Sequence, residues 1–254
     1  MNKFTNALAT SAWEFLTLRR GVKRILDGET FRISPCLRWM MDPRGEPELR
    51  AFMRNRVRPG QTLWDVGSHA GRYVLLFSRW SKGGKVHAFE PNPQTCSILK
   101  RHLQLNHLEP QVMLNELAVS DHSSEEEFFA APLDGMSRLG SENPLLAGRA
   151  RPTRVKTISL DEYWAVHTHP PDWLRLDIEG FEVAALRGAR RLIEARRGAL
   201  TIVAELHPNA WADAGTSRIE FEGLLESLRL KLIPLSGQGD PLNEYGHVHL
   251  EFLP

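Results

Sequence analysis

Two cysteines among 254 residues, Cys36 and Cys96, are too few for a disulfide framework, and neither belongs to a Cys-x-x-Cys pair. A reducing, cytoplasmic setting fits that scarcity. No apolar run approaches the ~18 residues of a membrane span. Near the start, Glu14 interrupts Phe4, Leu8, Trp13, Phe15 and Leu16 before they reach signal-peptide length. An excess of charge of one sign is missing too. The formal total is +1, which argues against a chain built to grip a nucleic-acid backbone. The 7 tryptophans are scattered rather than gathered into a stacking platform, so no nucleic-acid partner is expected. What charge there is lies unevenly. Residues 1–60 hold 12 Lys/Arg against 6 Asp/Glu, a net +6 that leaves −5 for the remaining 194 residues. A solvated helix face explains this as readily as an anionic partner does.

What is present is ordinary globular material, 42% hydrophobic and 25% charged, enough for one α/β core with an N-terminal extension. Residues 1–58 read as a helical cap segment and 59–254 as the main domain. In the cap, one or two short helices precede an extended piece at 30–33, and Leu49, Phe52, Met53 and Val57 recur at helical spacing between Pro47 and Pro59-Gly60. From there strand and helix signals alternate, the pattern of a mostly parallel sheet with helices on both faces. Strands are predicted at 62–66, 85–90, 111–119, 173–178 and 200–206, and helices at 70–80, 94–106, 183–196 and 218–228. Two extended pieces at 231–235 and 247–252 make a hairpin at the sheet edge. An insertion at about 120–165, with extended stretches at 125–130 and 153–158, has the length of a functional lid. A capping box at Ser159-Leu-Asp-Glu162 starts a short helix.

The chemistry concentrates in Leu63-Trp-Asp-Val-Gly-Ser-His-Ala-Gly71, an apolar strand, the acid Asp65, and two glycines at the mouth of a helix. Gly67 and Gly71 permit a tight turn and close backbone approach, and a helix N-terminus offers free N–H groups. Their spacing is not Gly-x-Gly-x-x-Gly, so an amino-acid carboxylate suits the turn better than a pyrophosphate. About 20 residues on, the second strand ends in Ala88-Phe-Glu90, where an acid would hold a ribose diol. A ligand-free turn and an exposed strand-end acid are the bland readings of each feature taken alone. Together they point to a nucleoside-bearing ligand.

At this point the chain resembles the FkbM family of S-adenosylmethionine-dependent methyltransferases, over roughly residues 46–208. The matching blocks are Glu46-Pro-Glu48, Asp65-Val-Gly-Ser-His-Ala-Gly71, Ala88-Phe-Glu-Pro-Asn-Pro93, Leu117-Ala-Val-Ser-Asp121, Leu176-Asp-Ile-Glu-Gly-Phe-Glu182 and Ala204-Glu-Leu-His-Pro208. The resemblance implies the Rossmann-like seven-stranded methyltransferase fold and S-adenosylmethionine as donor. It implies, commonly, O-methylation of a hydroxyl on a sugar or small secondary metabolite. Carried over, Asp65, Gly67, Ser68, His69 and Gly71 would lie at the methionine end, Glu90, Pro91 and Asn92 at the ribose, and Ala118 to Ser120 at the adenine. Ser68-His69 departs from the Ala-Asn usual in the family.

Asp177 and Glu179 alternate at the end of the fourth strand, where carboxylates can orient a cofactor, act as base or bind a metal. Glu182 is either a third member of that cluster or a favourable first-turn charge. Glu205 and His207 flank Leu206 and point the same way, which makes His207 the favoured base, Glu205 the holder of its tautomer, and Asp177 the organiser. With Glu182 beyond a turn, no metal requirement is expected. N-methylation and a catalytically silent binding module are the rival readings.

Overall fold

The computed structural model describes residues 20–37, 41–132 and 135–254. The helices expected in the first part of the N-terminal segment lie outside the described residues. The described chain opens with a β-hairpin of β1 (Val22–Leu26) and β2 (Glu29–Ile33), of which only the second strand is anticipated from sequence. Asp27 and Gly28, both at positive φ, make the turn. Helix α1 (Pro47–Arg56) begins at its proline and buries Leu49 and Met53.

Four short parallel strands form the centre: β3 (Leu63–Val66), β4 (Val86–Phe89), β10 (Trp173–Leu176) and β11 (Thr201–Leu206). β3, β4 and β10 are buried at every position, as strands covered on both faces must be. With β5 (Val112–Asn115) on one flank and the antiparallel pair β12 (Leu230–Pro234) and β13 (Gly246–Phe252) on the other, the sheet has seven strands in the order β12-β13-β11-β10-β3-β4-β5. This is the Rossmann-like methyltransferase architecture, and the closing hairpin sits at the sheet edge as its pattern indicates. Helices α2 (Arg72–Trp80) and α3 (Pro93–Asn106) supply the crossovers beside β4. α5 (Glu182–Arg187), α6 (Arg190–Ala195) and α7 (Arg218–Leu228) pack against the other half. The single helix predicted at 183–196 is divided at Gly188-Ala189, where a Cβ on Gly188 would stand 2.4 Å from the Ser120 carbonyl oxygen.

The third strand also ends earlier than its sequence pattern indicates. It stops at Asn115, and β6 (Ala118–Val119) instead joins a second sheet with β7 (Glu125–Ala130), β8 (Arg138–Leu139) and β9 (Arg151–Ile158). The insertion is thus a four-stranded layer with its own small core of Ala118, Phe128, Leu139 and Val155 rather than a loose lid. The capping box forms and starts α4 (Leu160–Val166). No described helix is long and apolar enough to cross a membrane.

The chain order reverses between β3 and β10, and Gly67 follows β3 at that junction. Its φ is +81°, and a Cβ would lie 1.8 Å from the Asp177 carbonyl oxygen. The glycine is therefore demanded by the junction of two strand ends, not by room for a ligand. Gly67→Ala is expected to melt at least about 10 °C lower or fail to fold, since the strands must part. Gly60, at φ +83° with nothing near its missing Cβ, is the control. There Ala meets only left-handed strain of roughly 1–2 kcal/mol, a drop of about 2–8 °C by thermal melting. Equal drops for both variants would remove the steric account.

Candidate active site

The carboxyl ends of β3, β4, β10 and β11 open into a cavity of about 730 Å³, where open parallel sheets place their ligands. Gly67, Ser68, His69, Glu90, Pro91, Ala118 and Asp177 stand on its wall, together with Glu179 and His207. The other four expected site residues lie behind it. Asp65 is fully buried and carries Arg175; Gly71 packs on Leu99; Asn92 caps α3; the Ser120 N–H donates to the Ile158 carbonyl.

The first turn does not present the free N–H groups that its sequence suggests. Those of Gly67 and Ser68 both donate to the Phe89 carbonyl at 3.0 Å, and that of Gly71 donates to the Ser68 carbonyl at 2.8 Å. Its contribution is to aim Glu90. The His69 N–H donates to Glu90 Oε2 at 2.9 Å, and the Asn92 N–H donates to Oε1 at 2.8 Å. Among the described residues no cation pairs with this buried carboxyl, and burial pushes its pKa to about 7 against the pull of those two donors. Each oxygen keeps further capacity to accept from a ligand diol.

A buried ionic layer underlies the cavity. Arg175 sits opposite Asp65 in register, and its Nη1 donates to Asp65 Oδ1 at 3.0 Å and its Nη2 to Asp177 Oδ2 at 2.6 Å. The guanidinium lies 4.4 Å over the Tyr73 ring, whose hydroxyl donates to Glu46 Oε2 at 2.6 Å. Sequence reasoning passes over Arg175, yet a basic residue inside Trp173-Leu-Arg-Leu176 and an acid inside Leu63-Trp-Asp-Val66 each demand a buried partner. That was the available signal. Burial alone would raise the Asp177 pKa, but Arg175 and His207 outweigh it and hold the carboxyl below its usual value.

His207 has a different partner from the one its spacing indicates. The strand ends at Leu206, and the ring turns toward the first turn of α5, where Nδ1 meets Glu182 Oε1 at 2.9 Å. Glu182 is fully buried and also accepts from the Gly180 N–H at 3.0 Å and, at 3.4 Å, from Trp211 Nε1. Burial disfavours a charged ring, but the Glu182 hydrogen bond, with the charges of Glu182, Glu179 and Asp177, pushes the His207 pKa up to about 10. Glu205 instead accepts from the Tyr245 hydroxyl and shares a hydrogen bond with Asp177. Burial and the neighbouring Asp177 charge push its pKa to about 9. Glu179 lies 3.7 Å from His207 Nε2, and burial raises its pKa to about 7.

Asp177, Glu205 and His207 bring one potential ligand atom each within 4.8 Å of one another, a set of groups able to hold a divalent cation. The partners of Asp177 in that set are therefore Glu205 and His207 rather than Glu179 and Glu182. Three non-glycine residues on the cavity wall, Glu46, His69 and Glu179, adopt left-handed backbone at φ 53°, 46° and 53°. Such strain gathers at functional sites.

Replacing Glu182 by Gln keeps its volume and removes its charge. By NMR titration His207 should ionise near pH 10 in the native protein, and Glu182→Gln should bring that value down toward or below the ordinary ~6.5. An unmoved titration would take Glu182 out of the role.

Residues 65–238, more than half of the chain, match the Methyltransferase FkbM domain model. The hexuronic acid methyltransferase AglP of Haloferax volcanii is 27% identical over 169 residues, 65% of this chain and 64% of that protein. The 31-O-demethyl-FK506 methyltransferase FkbM of Streptomyces tacrolimicus is 33% identical over 76 residues, 29% of this chain and 28% of that enzyme. The matched stretches thus span less than two thirds of either relative. In fold, the crystal structure of methyltransferase FkbM from Methylobacillus flagellatus aligns with a TM-score of 0.51 at 15% identity, over 77% of this chain and 44% of that one. With the family's blocks lying in order along β3, β4, β10 and β11 and its domain model matched across them, this chain belongs to the FkbM methyltransferase family.

Proposed function

We propose that the protein transfers a methyl group from S-adenosylmethionine to a hydroxyl of a sugar or small secondary metabolite. The observation that carries this reading is Glu90, a buried carboxyl with no cation beside it among the described residues, aimed by two backbone N–H groups into a large cavity that also receives Glu179 and His207. The wall fits the cofactor in a second respect. Among the described residues, His69 Nε2 and Arg175 Nε are buried there without a hydrogen-bond partner. These are donors suited to the carboxylate of an amino-acid tail. Phe89, Leu117 and Val119 give the apolar surface a base needs. The names of both relatives describe methyltransferases, one of hexuronic acid and the other of 31-O-demethyl-FK506.

Bound there, S-adenosylmethionine would supply a methyl group on a positively charged sulfonium. Glu90 would accept the ribose hydroxyls, and Asp177, fixed by Arg175, would supply negative charge near the sulfonium and amino group. The protein's remaining task is the acceptor's proton. His207 is held as an imidazolium, so its Nε2 is a donor and not a base at neutral pH. Glu179 is the better base, with a pKa about 7 matched to working pH and its carboxylate supported by the adjacent imidazolium. As the acceptor oxygen gains its methyl group, its proton passes to the Glu179 carboxylate. This exchanges the roles that sequence spacing alone suggests for His207 and the carboxylates.

Glu90→Ala should weaken S-adenosylmethionine and S-adenosylhomocysteine by about 10- to 150-fold in calorimetry, the equivalent of ~1.5–3 kcal/mol for a charge-assisted acceptor. Native affinity in the folded variant would exclude Glu90 from the site. For turnover, a base must be deprotonated and the imidazolium must keep its proton, so kcat/KM should rise with pH through about 7 and fall through about 10. Glu179→Gln should lower kcat ~10²–10⁴-fold with little change in cofactor affinity. The same assay should survive a chelator. Full loss on chelation, restored by magnesium, would assign the Asp177, Glu205 and His207 cluster to a metal.

A further inference from the structure

Beside the cofactor cavity lies a second one of about 690 Å³. The two share a wall that includes Glu179, His207 and Tyr245. A hydroxyl held in the second cavity would therefore lie beside the proposed base.

Tyr245 is 61% exposed yet fixed at both ends of its ring system. Its hydroxyl donates to Glu205, and its ring packs against His207 with centroids 5.2 Å apart. An exposed aromatic face held rigid beside reactive groups has little entropy left to lose when a ring stacks on it. Leu145, 74% exposed at the tip of a short turn in the insertion, adds apolar surface to the same cavity. The polar part of the lining includes three amides, Asn143, Asn209 and Asn243. Asn143 Nδ2 donates to Glu179 Oε2 at 3.3 Å, which links the chamber to the base. Among the described residues the Asn209 side chain has no partner, although it lines the cavity.

Charge decides the kind of ligand. Arg138 donates to Asp213 at 2.8 Å and to Ser141 Oγ at 2.9 Å, and it also serves the Ser141 and Glu142 carbonyls. His207 is committed to Glu182. Among the described residues each cation on this wall already has an acid beside it, and Glu179 adds a further carboxyl. An anionic sugar would thus meet no spare positive charge, whereas hydroxyls find amides that both donate and accept. Resting on the methyltransferase reading above, we infer that the second cavity is the acceptor chamber, that it takes a neutral polyhydroxylated ring, and that Tyr245 is the platform on which the ring's apolar face stacks. A uronate such as the one named for the archaeal relative would be disfavoured here.

The test uses the full chain and saturation-transfer NMR with methyl glycosides of glucose, galactose, mannose and rhamnose, set against methyl glucuronoside and galacturonoside. At least one neutral glycoside should bind, more tightly than either uronate. Tyr245→Ala should weaken it about tenfold, and Tyr245→Phe, which keeps the ring, should retain most of the affinity. Asn209→Ala should cost about fivefold, the share of one hydrogen bond. Binding of no neutral glycoside, preference for the uronates, or unchanged affinity in Tyr245→Ala would each overturn the inference. S-adenosylmethionine affinity is measured separately by calorimetry. Its absence would strike the reading of the first cavity, while the glycoside result would still decide the second.

Discussion

The guanidinium of Arg175, buried between Asp65 and Asp177, is the contact on which the site is built. A charge so deep would be untenable alone, and a layer of hydrophobic residues of the same volume would stabilise the fold at least as well. Its use is geometric. The ion pair with Asp65 locks β3 to β10 at the point where chain order reverses, and the bond to Asp177 fixes a carboxylate just past the end of β10. Through the face of Tyr73 the same group reaches Glu46, so the segment before α1 is drawn to the cavity rim.

Around that fixed cation the cavity manages an excess of carboxyl groups by dividing protons among them. Asp177 lies below its usual pKa while Glu179 and Glu205 lie above theirs, and His207 is kept protonated by Glu182. Neighbouring groups whose environments push their pKa values apart acquire different chemical duties. On that division Asp177 is a standing anion, Glu205 a hydrogen-bond donor, and Glu179 the group suited to the base that the proposed reaction needs.

Much of this was legible in the chain. The alternation of strands and helices, the closing hairpin, the capping box at Ser159 and the cluster of Gly67, His69, Glu90, Asp177, Glu179 and His207 all came from periodicity, spacing and resemblance. What escaped was set by contacts distant in sequence. The identity of His207's partner depends on where the chain turns after Leu206: spacing pointed to Glu205, and the turn gives the ring to Glu182 instead. The turn at Gly67 was read for its own N–H groups, but the Phe89 carbonyl from the next strand takes two of them. Tyr245 and His247 come from the far end of the chain, and only the antiparallel return of β13 beside β11 brings them in. The end of the third strand at Asn115 reflects a competing sheet whose other strands lie up to 40 residues away.

The left-handed backbone of Glu46, His69 and Glu179 bears on how this protein can be altered. At each of these positions glycine would relax the main chain, although at Glu46 it would also forfeit the bond from Tyr73. Each residue is nevertheless a side chain that the cavity uses, so the sequence keeps a conformation that a search for heat resistance would remove. Engineering for robustness would therefore run against activity at these three positions, and loops remote from the cavity, such as the turn at Lys82 with its φ of 41°, are where rigidity can be gained without touching the chemistry.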